Sequence, residues 1–508
     1  MSRMKSSLAG AIALLALALP GNQAFAQPVA GSTPAPGCVL TAPILSESQG
    51  PRLPAPKPDA EAKPLPINLA TALRLAGARP LVIAAAQASV EIADAQLQRA
   101  RVQWLPTFSA GGGYYHHDGA TQGQSGTFYN NSKDQAIFGG GLLARVAGTE
   151  ALFAPLAARQ VLQSRTFDVQ TARNDSLLLT AEAYFRLQQA RGRLAASQDV
   201  LDRGLKLAKT IDFARLGQEK PTDLHRARTL KANFEEEIVS AREQWQIAST
   251  DLSQILRLDP TVTLNPAEGP DLSVTLISAD AKLETLIPIG LTNRPELASQ
   301  QALVQAAITR LRQERLRPLI PNLVVEGNPG PTGPGNAFMG GIFGSSLNGA
   351  PNPWESRDDV SIGLVWELQN LGFGNRALVR ERRAERQQAL VELTHIQDLV
   401  AADIARAVNQ VASAHKRMTI SLEGVHEAWL AYSGSESEIG KIMKVDDVST
   451  QVRRVFEVID ALRTLANSYT SYFQAISDYN QAQFRLYRAL GYAADALACG
   501  AFPAPVLP

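Results

Sequence analysis

The strongest constraint on the fold is that the second half of the chain repeats the first. Arg79-Pro80 recurs as Arg294-Pro295, and Leu105-Pro106 recurs in similar form as Ile320-Pro321, both 215 positions later (295 − 80 and 321 − 106). Proline is tolerated in the first turn of a helix and disfavoured in its interior, so each pair marks the beginning and the end of one helix. The sequence therefore predicts one helical unit that is used twice at the same length.

Each half continues with two short segments in which apolar and polar residues alternate. This period of two predicts strands at 107–115 and 136–146 in the first half, and at 322–328 and 358–368 in the second. The segments inside each pair, 118–133 and 329–357, are polar and rich in glycine, which predicts long loops.

Long helical stretches follow the strands. Regions 150–215 and 375–438 contain few helix breakers, and a shorter helix returns at 222–258 and at 456–490. A helix of about 66 residues is about 100 Å long at 1.5 Å per residue. Such a helix buries its apolar seam only against other helices, and two shorter helices stacked end to end would match its length.

The first 26 residues predict a secretory signal peptide. Two basic residues precede the apolar run from Leu8 to Leu19, and Ala24 and Ala26 offer small side chains for cleavage. No later stretch approaches 18 consecutive apolar residues. A membrane crossing would therefore be made by strands in a closed barrel.

Composition excludes several functional classes. Lys and Arg number 49 against 48 Asp and Glu, so the formal net charge of +1 argues against nucleic acid as a partner. Two cysteines are too few for a zinc ribbon, and the six histidines are scattered. Since no nucleophile or phosphate-loop motif stands out, we expect a protein that is not an enzyme, with no metal and no cofactor.

Five stretches carry a resemblance to a known family. Asp212–Gly217 and Pro221–Leu224 resemble a glycine-containing hairpin tip and the helix start after it, and Val455–Leu465 resembles the second tip. Gln481–Gly491 is similar to the closing segment and Trp366–Arg376 to a strand-to-helix junction. In this order and spacing, over about residues 67 to 492, the chain resembles the TolC family of outer-membrane efflux and secretion channels.

The resemblance implies a mainly α fold with a membrane β part. Two repeats, each with two strands and long coiled-coil helices, would assemble as a homotrimer with a 12-stranded shared β-barrel and a periplasmic α-barrel tunnel. It also implies a passive exit in the outer membrane for a tripartite efflux pump or type I secretion system. A periplasmic adaptor protein would open this channel and an inner-membrane transporter would supply the energy. A periplasmic coiled-coil scaffold or adhesin without a pore is the alternative.

The predicted organisation has six parts. They are the signal peptide 1–26, a proline-rich arm 27–66, repeat 1 at 67–258 with a tip near 216–222, an equatorial linker 259–290, repeat 2 at 291–492 with a tip near 439–455, and a tail 493–508. The second tip departs from the family pattern, because residues 441–451 form a longer segment without glycine.

The resemblance also places acidic residues at the periplasmic entrance. Asp223, Glu457 and Asp460 would form a gate ring, and Arg453 or Arg454 would pair with them as a latch. Threefold symmetry would turn each acid into three, a geometry that attracts cations. The alternative is that these are ordinary acids at helix starts, where the macrodipole favours them.

Two further groups of residues follow from the resemblance. Arg215, Leu216, Gly217 and Thr222 would contact the adaptor at the first tip. The family places both chain ends near the middle of the tunnel, so Cys38 and Cys499 are expected to form a disulfide, with two separate thiols as the alternative. Lipidation of Cys38 is not expected, because it lies 19 residues beyond the apolar run (38 − 19).

Overall fold

The computed structural model describes residues 64–78, 80–214, 221–326, 340–347, 351, 354–358, 361–437, 442–445, 448–451 and 455–492. The helices in these ranges are α1 (Leu69–Ala78), α2 (Leu81–Arg101), α3 (Gly148–Ala214), α4 (Pro221–Leu256), α5 (Leu283–Asn293), α6 (Pro295–Leu316), α7 (Phe373–Ser437) and α8 (Val455–Ala489). The strands are β1 (Leu65–Ile67), β2 (Thr107–Gln122), β3 (Phe128–Val146), β4 (Leu264–Pro266), β5 (Asn322–Glu326), β6 (Gly340–Leu347), β7 (Trp354–Asp358), β8 (Ser361–Val365), β9 (Ile442–Val445) and β10 (Val448–Gln451).

The helices confirm the two-repeat, mainly helical fold. Helices α2 and α6 have 21 and 22 residues, α3 and α7 have 67 and 65, and α4 and α8 have 36 and 35. At about 1.5 Å per residue, α3 is about 100 Å long. The matched lengths show that the repeat in the sequence is a repeat in structure.

Both shorter helices of repeat 1 pack along α3. Near its start, Ala157 lines the same cavity as Ala100 of α2. Further along, Arg193 donates a hydrogen bond to Gln244 of α4 over 2.9 Å. Helix α3 also contacts α6 and α8 of the second repeat. The two repeats therefore share one helical core.

One helical stretch within the described residues, Leu69–Trp104, is apolar and long enough to cross a membrane, with a mean hydropathy of 1.4. Pro80 separates it into α1 and α2, and both helices pack against α3. Its apolar residues therefore contribute to helix packing.

The main sheet is antiparallel and centred on β3. All of β2 pairs with one edge of β3, at residues 128–143. The other edge of β3 pairs with β6 at residues 133–140 and with β5 at residues 144–146. Strand β7 continues the sheet beyond β6, and β8 continues it beyond β5. The sheet is thus four strands wide at the level of β6 (β2, β3, β6 and β7), and β3, β5 and β8 continue it at the level of β5.

The prediction of long loops inside the strand pairs was wrong in two places. Residues 118–133 extend β2 and β3 to a turn at 123–127, and β6 together with β7 occupies part of 329–357. Polar side chains made the first segment look like a loop. In the structure Thr121 donates a side-chain hydrogen bond across the strands to Asn131 Oδ1 over 2.9 Å. Cross-strand pairing outweighs the low strand propensity of these residues.

The atypical segment near 439–455 contains a β-hairpin. Strands β9 and β10 pair antiparallel, with Val445 opposite Val448 and Ile442 opposite Gln451. A two-residue connection suits such a hairpin. The connection between α7 and α8 therefore contains two strands, which the resemblance to the family did not predict.

Polar contacts fix the predicted linker to α8. The buried side chain of Gln483 accepts hydrogen bonds from the backbone N–H groups of Leu276 (3.1 Å) and Ile277 (2.9 Å) and donates to the carbonyl of Ile277 (3.0 Å). One turn earlier, Asn480 accepts from the backbone N–H of Val274 at 2.8 Å. Buried backbone groups need such partners, so α8 holds the linker in one register.

Gly491 ends α8 in a conformation that other residues rarely adopt. Its φ is +72°, and a Cβ atom added here would lie 2.8 Å from the backbone nitrogen of Arg294. Glycine at this position therefore stops the helix and lets the chain approach the start of α6 closely.

We expect Gln483→Leu to loosen the linker. The change leaves two buried N–H groups and one carbonyl without partners, at a cost of about 3 kcal/mol in total. The midpoint of thermal unfolding should fall, and proteolysis within 259–290 should become faster. Gln387→Leu, at an exposed glutamine, is the control and should change stability by less than about 0.5 kcal/mol. Equal proteolysis of both variants would contradict the assigned role.

Candidate site at the starts of two helices

A cleft lies between the N-terminal parts of α4 and α8. Its volume is about 340 Å³, and it is lined by His225, Thr229, Leu230 and Asn233 from α4 and by Ile459, Asp460 and Arg463 from α8. Proline at position 221 begins α4 because its fixed φ suits the first helical turn. The two helices that sequence analysis assigned to equivalent positions in the repeats thus meet at their N-terminal ends.

The predicted gate acids fall at this end of the helices. Glu457 and Asp460 are exposed and lie three residues apart on α8, hence on one face, and Asp460 lines the cleft. The backbone of Asp223 lies in the first turn of α4, as does that of Thr222. The structure therefore brings the helix turns that carry all three acids to one region.

The other predicted site residues lie outside the described residues. These are Arg215, Leu216 and Gly217 at the first tip, Arg453 and Arg454 of the latch, and Cys38 and Cys499 of the disulfide. The adaptor contact, the latch and the disulfide remain predictions.

Sequence reasoning missed a buried cluster that joins three helices. Arg203 of α3 donates to Asp199 over 2.7 Å, and its guanidinium carbon lies 5.4 Å from the ring centroid of Tyr432 on α7. Tyr432 and Tyr469 of α8 are both fully buried. The i, i+4 spacing of Asp199 and Arg203 was a visible signal, whereas the aromatic partners come from helices more than 200 residues away in sequence.

Burial and charge set the protonation of this cluster. Burial opposes the charge on Arg203, yet the hydrogen bond to Asp199 and its negative charge raise the pKa of the guanidinium above its ordinary value. Burial, reinforced by the charge of Asp199, raises the pKa of Tyr469 to about 12. The phenol of Tyr469 therefore stays neutral well above physiological pH. The protonation state of the cluster that joins α3, α7 and α8 is then constant over the physiological range.

The described side chains offer no obvious metal centre. Within these ranges, no three His, Cys, Asp or Glu side chains converge as metal ligands do. The cleft instead has one carboxylate and one guanidinium on α8, three residues apart, opposite a histidine on α4. Such a surface can bind or steer ions.

Comparison with solved structures identifies the fold. The CmeC outer membrane channel of Campylobacter jejuni matches with a TM-score of 0.64 at 15% identity, over 84% of this chain and 85% of that chain. The outer membrane protein VceC of Vibrio cholerae gives 0.64 at 14% identity, over 83% and 96%. The open state of the MtrE outer membrane channel of Neisseria gonorrhoeae gives 0.63 at 16% identity, over 84% and 89%.

These matches define the class of fold. No protein-family model matches the sequence, and no curated protein sequence matches it. The chain nevertheless has the fold of outer-membrane channels over more than four fifths of its length. The resemblance drawn from the sequence is thereby confirmed at the level of the fold.

We expect alkaline unfolding to depend on Tyr469. Its folded-state pKa of about 12 exceeds the value of about 10 for an exposed phenol. The resulting stabilisation is complete below about pH 10 and is lost as the pH rises through 12. Tyr469→Phe removes this ionisation, so the alkaline midpoint of helix loss, followed by circular dichroism, should move up by about 0.3 pH unit. The exposed Tyr129→Phe is the control, and equal midpoints in both would contradict the burial argument.

Proposed function

We propose that the protein is an outer-membrane channel that gives substrates of a tripartite efflux pump or a type I secretion system a passive way out of the cell. The observation that carries this proposal is the shared fold with outer-membrane channels from three organisms. The duct itself needs no cofactor and performs no chemistry. Specificity for the exported substrate belongs to the transporter.

The sheet supports assembly as a homotrimer. Four antiparallel strands cannot close a barrel alone, and within the described residues β2 forms one edge while β7 and β8 form the other. Three copies would provide twelve strands and cover every edge. Exposed aromatic side chains on one face of the sheet, such as Phe128 and Phe138 of β3, suit contact with outer-membrane lipid.

The long helices would form the periplasmic tunnel of this channel. Exposed apolar residues on α2 and α7, among them Ile92, Leu399 and Ile420, offer further surface for packing against neighbouring copies. A periplasmic adaptor would contact the first tip at Arg215, Leu216, Gly217 and Thr222 and open the channel. An inner-membrane transporter would deliver the substrate.

The helix starts would form the periplasmic gate. In a trimer, Asp223, Glu457 and Asp460 would each occur three times around the entrance, and Arg453 or Arg454 would latch them in the closed state. The exposure of both α8 acids and the position of Asp460 in the cleft support this arrangement. A carboxylate ring at a narrow entrance selects cations.

The proposal predicts a trimeric, pore-forming protein. Full-length protein purified in mild detergent should have the mass of a trimer by light scattering, and it should form low-conductance pores in planar bilayers. Four strands per chain require oligomerisation for a closed barrel, which is why both results are expected together. A monodisperse monomer without channel activity would rule out the proposed duct.

The gate assignment predicts altered ion selectivity. Glu457→Ala combined with Asp460→Ala should weaken block by trivalent cations about tenfold or raise the resting conductance, because the ring sets a local potential of several kT. Asp398→Ala on the exposed face of α7 is the control and should have no effect, since salt screens an isolated charge within about 8 Å. Single-channel recording over a series of cation concentrations is the measurement. Identical cation block in variant and parent would show that Glu457 and Asp460 are ordinary acids at a helix start and do not line the entrance.

A further inference from the structure

A band of exposed apolar side chains lies where the sheet meets the helices. The register places the start of β2, the end of β3, the start of β5 and the end of β8 at the same end of the sheet. Six side chains close to these strand ends form what we name the junction band: Leu105, Phe108, Leu319, Trp366, Leu371 and Phe373. Their exposed fractions range from 59% for Trp366 to 91% for Leu371.

Three arginines lie next to this band on α7. Arg376, Arg380 and Arg383 are four and three residues apart, so they share one helix face, and all three are exposed. We name them the arginine face. The guanidinium carbon of Arg376 lies 5.9 Å from the ring centroid of Phe373, which connects the face to the junction band.

The arginine face has no acidic partner among the described residues. None of its three side chains forms an ion pair there. The neighbouring Glu385 pairs with Arg382 at 2.8 Å, on a different side of the helix. The positive charge of the face is therefore directed to solvent in a single chain.

Helix stability does not explain these arginines. Arg376 lies in the first turn of α7, where the macrodipole disfavours positive charge, and this turn contains no acidic residue to offset it. A bound anion would offset both the dipole and the mutual repulsion of the three guanidinium groups. Guanidinium binds phosphate, as it binds carboxylate, through two parallel hydrogen bonds, so phosphate is an anion that this side chain fits well.

We propose that the arginine face binds the phosphate groups of anionic phospholipids in the membrane leaflet next to the junction band. Aromatic and apolar side chains favour the membrane–water interface, and basic residues directly beside them meet the headgroups. The inference rests on the proposed function, because it requires the strands to lie in a membrane. It adds a lipid class and the three residues that recognise it.

Lipid titration of the full-length protein in nonionic detergent tests the inference. Quenching of tryptophan fluorescence by brominated phosphatidylglycerol and by brominated phosphatidylcholine gives the affinity for each, with Trp366 in the junction band as a nearby reporter. The parent should prefer phosphatidylglycerol. Replacing Arg376, Arg380 and Arg383 together by Gln should weaken phosphatidylglycerol binding by about fivefold per arginine, hence roughly 100-fold, and leave phosphatidylcholine binding unchanged.

Two sets of variants serve as controls. Replacing the three arginines by Lys keeps the charge and should retain most of the preference. Replacing the exposed Arg74, Lys282 and Lys416 by Gln removes the same charge far from the junction and should change nothing.

Three results would overturn the inference. They are a parent without preference for the anionic lipid, an unchanged affinity in the triple Gln variant, and loss of the oligomer at unchanged lipid affinity, which would assign the face to a neighbouring copy. Pore formation by the same parent sample is scored separately. A conducting parent without lipid preference rejects only the lipid site, whereas a parent that does not conduct rejects the channel.

Discussion

Very long helices depend on one another for burial, because a single helix has no core of its own. Helix α3 meets this constraint along most of its length: Tyr184, Leu194 and Val200 are almost fully buried, against helices from both repeats. Phe185 of α3 and Phe484 of α8 lie 5.5 Å apart between ring centroids, although 299 residues (484 − 185) separate them in sequence. Helices of both repeats thus cover the apolar seam of α3, and this packing supplies most of its helical stability.

Apolar seams rich in alanine allow helices to slide, and polar contacts fix their register. Arg488 of α8 donates to Asp175 of α3 at 2.9 Å and to Glu296 of α6 at 3.0 Å, so one side chain aligns three helices. Further along α3, Glu268 of the linker accepts hydrogen bonds from Tyr184 and from the backbone N–H of Leu69. Breaking such partly buried contacts leaves charges or donors without partners, which makes this register specific.

The ends of the helical part differ in chemistry. Exposed carboxylates at Glu457 and Asp460 lie at the start of α8, and exposed arginines with apolar neighbours lie at the strand junction. This asymmetry suits the proposed channel, in which one end would meet solvated ions and the other would meet lipid. Within the described residues β2, β7 and β8 form the open edges of the six-stranded sheet, which the proposed trimer would cover.

The sequence by itself determined the repeat, the long helices and the approximate positions of β2, β3, β5 and β8, because these depend on local periodicity and on proline placement. The bounds of α3 and α7 differ from the predicted ones by only one or two residues. The sequence also located Glu457 and Asp460 on one helix face. Tertiary structure alone decided the cleft around Asp460, the Arg203 cluster, the polar extension of β2 and β3, and the hairpin of β9 and β10. Each of the first three depends on contacts between separate elements, and the hairpin depends on backbone pairing, which side-chain periodicity does not encode.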